Sequence, residues 1–143
     1  MELSYRLCTE DDVKLVYTME AASYPEDEAA TEEKLQFRCQ NAQQYFMVGE
    51  FQDSGVTKIA GFVCGTLTSG RTLKHETMSA HNPDGDALCI HSVCVDPALR
   101  RRKLGTSLLK RYIQMMIERP EIKRILLISK QVWICVQRMG SLS

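Results

Sequence analysis

Leu88-Cys89-Ile90-His91-Ser92-Val93-Cys94-Val95-Asp96-Pro97, followed by Ala98-Leu99-Arg100-Arg101-Arg102-Lys103-Leu104-Gly105-Thr106, joins an apolar β-run to the start of an amphipathic helix. Downstream, Leu104, Leu108, Tyr112 and Met116 repeat every four residues, with Leu109, Ile113 and Ile117 widening the stripe. This order brings backbone N–H groups, a helix N-terminus and four basic side chains to one corner, which suits polyphosphate. Gly105 lets a ligand approach the backbone with no Cβ in the way. A basic cluster here is also consistent with a solvated face or a nuclear-localisation patch, and the residues alone leave both open.

Outward from that segment the chain alternates elements. Residues 3–8 read as a strand. Thr9 caps a helix that Tyr24-Pro25 ends, because the residue before proline avoids the α region. Thr31 caps a second helix through about Gln43. Tyr45–Phe51 and Lys58–Leu67 read as strands joined at Asp53-Ser54-Gly55, and 69–86 as a polar surface loop. Strand 87–95, a helix over 104–118 and strand 124–128 make a right-handed parallel crossover. The expectation is one α/β domain over residues 1–143, a mixed sheet, with no assigned element after residue 128.

The 143 residues, 44% hydrophobic, are enough for one buried core. Zero formal net charge removes any global field for nucleic acid or membrane, so the Arg100–Lys103 run is a local device. Apolar runs fall far short of the ~20 residues of a membrane helix, and no secretory apolar region follows Met1. Six cysteines without a C-x-x-C pair fit a reduced, cytoplasmic protein. His75, His81 and Asp84 or Asp86 lack ligand-like spacing, so no metal is expected.

Strict alternation places Cys89, His91, Val93 and Val95 on one face. An imidazole there can accept a proton from an ammonium substrate near neutral pH, or it can be a core histidine bonded to a carbonyl.

Val95-Asp96-Pro97, Arg100, Gly105 and Leu108-Leu109 resemble motif A of the GNAT superfamily of N-acetyltransferases, with Lys103 at the motif's first glycine. Within it, Ser23-Tyr24-Pro25, His81-Asn82-Pro83 and the strand with His91 are most similar to arylalkylamine (serotonin) N-acetyltransferases, from Tyr5 to about Ile128. That resemblance implies a GNAT-like acyl-CoA N-acyltransferase fold and direct acetyl transfer from acetyl-CoA to an arylalkylamine or polyamine. It implies His91 as general base, and Val93, Cys94 and Val95 on the pantetheine and thioester. Arg101, Arg102, Lys103, Leu104, Gly105 and Thr106 would take the pyrophosphate, Tyr24 and Pro25 would belong to a mobile loop covering the amine, and Ile128 would line the acyl or amine site.

The tail departs from the pattern. Cys135 and Val136 stand where the family carries a proton-donating tyrosine on a helix, Arg138-Met139-Gly140 resembles that helix's end, and the last two strands have no counterpart. An open edge on the fifth strand would then be available to a partner chain. The alternatives are a catalytically impaired CoA-binding or regulatory member and an acetyltransferase of protein N-termini or lysines.

Overall fold

The computed structural model describes residues 1–69, 81–129 and 132–137. Six strands form one sheet in chain order: β1 (Ser4–Leu7), β2 (Phe46–Asp53), β3 (Val56–Thr68), β4 (Ala87–Val95), β5 (Arg124–Ser129) and β6 (Val132–Gln137). All neighbours are antiparallel except β4 and β5, which the crossover makes parallel. Helices α1 (Val13–Ser23) and α2 (Glu32–Asn41) cover one face, and α3 (Leu104–Ile117) covers the other.

The β2–β3 turn is the predicted Asp53-Ser54-Gly55 hairpin, with Ser54 at φ 52° and Gly55 at φ 84°. Those values suit the twist of the flanking strands. Thr31 caps α2 by accepting the Lys34 N–H at 3.2 Å, as its residue type dictates. Thr9 begins a single 3₁₀ turn (Glu10–Asp12) ahead of α1, so that helix starts three residues later than the cap suggests. Asp12 takes both the Thr9 N–H and the Arg6 guanidinium, which ties this turn to β1.

The α3 stripe packs as its period predicts: Leu104, Leu108, Tyr112 and Met116 are all buried. The helix comes close because β3 is paved with glycine beneath it. A Cβ at Gly61 would lie 2.7 Å from Leu108 Cδ1, and one at Gly65 2.7 Å from the Tyr112 hydroxyl. Tyr112 is fully buried and donates to the Tyr45 carbonyl at 2.7 Å, so its phenol carries no unsatisfied cost.

The segment after β5, for which sequence gave no element, is β6, with Ile128 opposite Trp133 and Ile125 opposite Val136. A β-branched and aromatic run suits a pleated strand better than a helix. The expected open edge on β5 is therefore closed, and β6 is the sheet's outer strand on that side. No helix among the described residues is long and apolar enough to cross a membrane.

Candidate active site: a split strand edge beside an uncapped helix

Two consecutive stretches of chain build the site. The parallel pairing of β4 with β5 runs from Ala87–Arg124 to Ile90–Leu127 and stops there, although β4 continues to Val95. Val93 and Val95 face Val63 and Gly61 of β3 on one side. On the other side the β4 backbone beyond Ile90 has no strand neighbour among the described residues. Both the N–H and the C=O of Val93 point to that open side, since both bond the Tyr24 phenol.

The chain then turns through Asp96, whose side chain accepts the Ala98 N–H at 2.9 Å and holds the Pro97–Leu99 3₁₀ turn. Arg101 and Lys103 follow in the left-handed region, at φ 70° and 59°. Lys103 is the N-cap of α3 and offers no side-chain cap, and the first helical bond arrives at Ser107 N–H. The amides of Leu104, Gly105 and Thr106 thus precede the hydrogen-bond ladder, where the helix dipole favours an anion. The left-handed residue followed by helix sets successive N–H groups into one concavity. Lys103 stands at the first glycine position of the resembled motif and holds the left-handed conformation at the αL cost of a side chain, about 1–2 kcal/mol.

Of the basic run, only part faces this concavity. Arg100 turns back to the C-terminus of α1, donating to the Ala22 carbonyl and Ser23 hydroxyl, each at 3.2 Å. Arg102 lines a groove with Glu50, Asp53, Asp96 and Leu99. Arg101 and Lys103 are exposed at the turn itself.

His91 is on the other face from the one alternation predicts. The β3–β4 register slips there: Cys64 pairs with Ser92 but Gly65 pairs with Ile90, leaving His91 as the extra residue of a bulge. Parity inverts across it. Leu88, Ile90, Val93 and Val95 pack towards α3, whereas Cys94 joins the α1–α2 core. His91 lies near Arg38 and Lys34 of α2. The expected shared face of His91 with Val93 and Val95 is thus corrected, the cause being the extra residue.

The imidazole Nε2 is 2.8 Å from Thr66 Oγ1, and Thr66 is buried. Burial, and then the charges of Arg38 and Lys34, hold the His91 pKa well below its ordinary 6.5. His91 is therefore neutral at physiological pH. Nothing in the local sequence signals Thr66 or the two α2 cations, because they arrive from other elements.

Tyr24 ends α1 in an extended conformation (φ −128°, ψ 152°), as its position before Pro25 requires. That conformation sends its phenol across to β4, where it donates to the Val93 carbonyl and accepts from the Val93 N–H, both at 3.3 Å. Pro25 is exposed, and its carbonyl accepts the Glu28 and Ala29 amides. Glu20, 2% exposed, accepts the Ala30 N–H at 2.8 Å and so closes the loop that carries Tyr24. Glu26, Asp27 and Glu28 stand in solvent. Ile128 lies in β5 one residue past the last β4 pairing, at the mouth of the split.

His81 accepts the Leu67 N–H through Nδ1 at 3.0 Å, and Asp86 pairs with Arg124. His75 and the Arg138-Met139-Gly140 stretch lie outside the described residues. Among the described residues no group of three or more His, Cys, Asp or Glu could hold a metal ion.

The fold is shared with solved structures. A GphF GNAT-like decarboxylase in complex with isobutyryl-CoA superposes with a TM-score of 0.75 at 24% identity, over 88% of this chain and 65% of that one. The loading GNATL domain of CurA from Lyngbya majuscula gives 0.77 at 17%, over 90% and 65%. Diaminobutyrate acetyltransferase EctA from Paenibacillus lautus, in complex with its substrate L-2,4-diaminobutyric acid and coenzyme A, gives 0.61 at 15%, over 99% and 70%. The chain thus spans about 65% of the length of the first two. The family model for the acetyltransferase (GNAT) family matches residues 13–133. With the strand–turn–helix corner and the split sheet both in place, the chain belongs to the acetyltransferase (GNAT) family.

Proposed function

We propose that the protein is a cytoplasmic, acetyl-CoA-dependent N-acetyltransferase of small primary amines, with an arylalkylamine or a polyamine as acceptor. The observation that carries this reading is the convergence of two donor sets from adjacent chain: the open Val93–Val95 edge and the uncapped start of α3. Their order along the chain, strand edge and then helix start, suits a ligand with an amide-rich arm at one end and a polyphosphate at the other. Family membership and the CoA-bound relatives support the choice of ligand.

In this reading the pyrophosphate accepts from the amides of Arg101 to Thr106, with Arg101 and Lys103 adding charge. The pantetheine arm pairs with Val93, Cys94 and Val95 as a further strand would. The thioester carbonyl takes the Val93 N–H, which stabilises the negative charge that develops on oxygen during attack. His91 accepts the proton that the ammonium must lose. For that role Nε2–H donates to Thr66 and leaves Nδ1 as the acceptor. Burial and the Arg38 and Lys34 charges lower its pKa, which keeps it unprotonated at neutral pH. Pro25 and Ile128 border the amine.

Calorimetric titration with acetyl-CoA, then thiol release with tryptamine, spermidine and a peptide, tests this. Micromolar binding, release with the amines and a loss of about 10²–10⁴-fold in His91→Ala are expected. Binding with no release from any acceptor would make it a CoA-binding or regulatory member instead. Release with the peptide alone would make it a protein acetyltransferase.

A further inference from the structure

Two cations of α2 lie near the proposed base. Lys34 and Arg38 are four residues apart, so they share one face of the helix. Leu35 and Cys39, next to each of them in sequence, are buried in the core that also holds Phe62 and Cys64 of β3. Arg38 is drawn under with them, at 6% exposed, and its Nη1 donates to Cys64 Sγ at 3.9 Å. Lys34 stays in solvent.

His91 meets the same face of β3. Thr66, two residues beyond Cys64, is 2.8 Å from the imidazole. Alternate residues of a strand are about 7 Å apart on one face. Guanidinium and imidazole are thus within the span of one small molecule. Among the described residues the charges that act on the imidazole are Arg38 and Lys34, both positive. Glu20, the buried carboxylate of α1, takes the Ala30 N–H and the Cys94 thiol. Glu26, Asp27 and Glu28 are exposed, so water and salt screen them far more than the buried guanidinium.

An acceptor that gives its proton to His91 must bring its nitrogen within reach of that ring. Whatever that nitrogen carries then lies in the field of the two cations. The field helps the ammonium lose its proton, because like charges disfavour the charged form. It opposes a second ammonium and favours a negative group, and a guanidinium fork matches a carboxylate. We propose that the acceptor is a primary amine that also bears a carboxylate, with Arg38 and Lys34 as the residues that select it. The inference rests on the acetyltransferase reading and narrows its acceptor. An arylalkylamine meets the requirement when it carries the acid group, as an aromatic amino acid does, whereas spermidine is disfavoured.

Two matched pairs test this by thiol release from acetyl-CoA: L-tryptophan against tryptamine, and L-ornithine against putrescine. Within each pair only the carboxylate differs. The expected kcat/KM favours the carboxylated member of at least one pair by about 10–100-fold, the worth of a charge-assisted bond. Lys34→Glu, a change at an exposed residue, should cut that preference by about 3–10-fold. Arg38→Gln should abolish it. A loss of fold or of coenzyme binding lowers both members of a pair alike, so a merely structural role leaves their ratio unmoved. Equal or better use of the carboxyl-free amine in both pairs, or a preference that Lys34→Glu leaves unchanged, overturns the inference while the acetyltransferase reading stands. Wild-type chain that releases no thiol with any of these amines overturns both.

Discussion

A methyl group added at Gly105 would meet one atom within 4 Å, Val95 Cγ2 at 3.6 Å, which is ordinary van der Waals contact. Gly105 has no positive φ and sits in the first turn of α3. The fold therefore makes no demand for glycine there, and Gly105→Ala should be stabilising. Alanine gains up to about 0.5–1 kcal/mol over glycine within a helix, or roughly 1–3 °C in Tm for a chain of this size. A phosphate approaching the Gly105 and Thr106 amides meets the added carbon directly. Losing one charge-assisted bond, at about 1.5–3 kcal/mol, weakens acetyl-CoA binding by roughly 10–100-fold. Calorimetric titration alongside thermal unfolding reads both signs at once. A variant that is more stable and binds acetyl-CoA as tightly as wild type would refute the cradle. A variant that loses stability would refute the claim that the fold tolerates a side chain there.

Two further outcomes follow from local geometry. Lys103 holds a left-handed conformation, so Lys103→Gly should stabilise the chain by about 0.5–1 kcal/mol after the added unfolded-state entropy; a lower Tm in calorimetry would contradict the strain. His91 and His81 both have pKa values lowered by burial, so unfolded chains bind protons that the native chain refuses. Their contribution to stability is complete above pH 6.5 and declines as pH falls below it, and His91→Gln should flatten the pH 6.5–5 slope in urea unfolding. An unchanged slope would mean that His91 titrates normally in the fold.

How much was legible depends on how local each cause is. The β4 boundaries at Ala87 and Val95, the start of α3 at Leu104 and the turn at Ser54-Gly55 follow from neighbouring residues, and the structure has them where the sequence places them. The left-handed strain at Lys103 was readable because a glycine was missing from a turn that wants one. The bulge at His91 was not readable. It arises from register against β3, and one extra residue inverts every face assignment beyond it. Arg100 reads as a phosphate ligand by charge, but the α1 groups it meets, the Ala22 carbonyl and the Ser23 hydroxyl, lie 78 and 77 residues earlier. Tyr24 reads as a loop residue over the substrate; its bond to Val93 depends on the same long-range packing. The strand Val132–Gln137 was hidden by reading that segment against a helix in the resembled family, although its β-branched composition pointed to a strand.

The central claim, that coenzyme A lies along the Val93–Val95 edge with its pyrophosphate on the start of α3, is tested most directly by following backbone amide resonances of the ¹⁵N-labelled chain during titration with coenzyme A. The account predicts saturable shifts concentrated at Val93–Val95 and Arg101–Thr106, with one dissociation constant. Shifts confined to the Arg102 groove at the β1–β3 end, or none at the α3 start at saturating ligand, would contradict it.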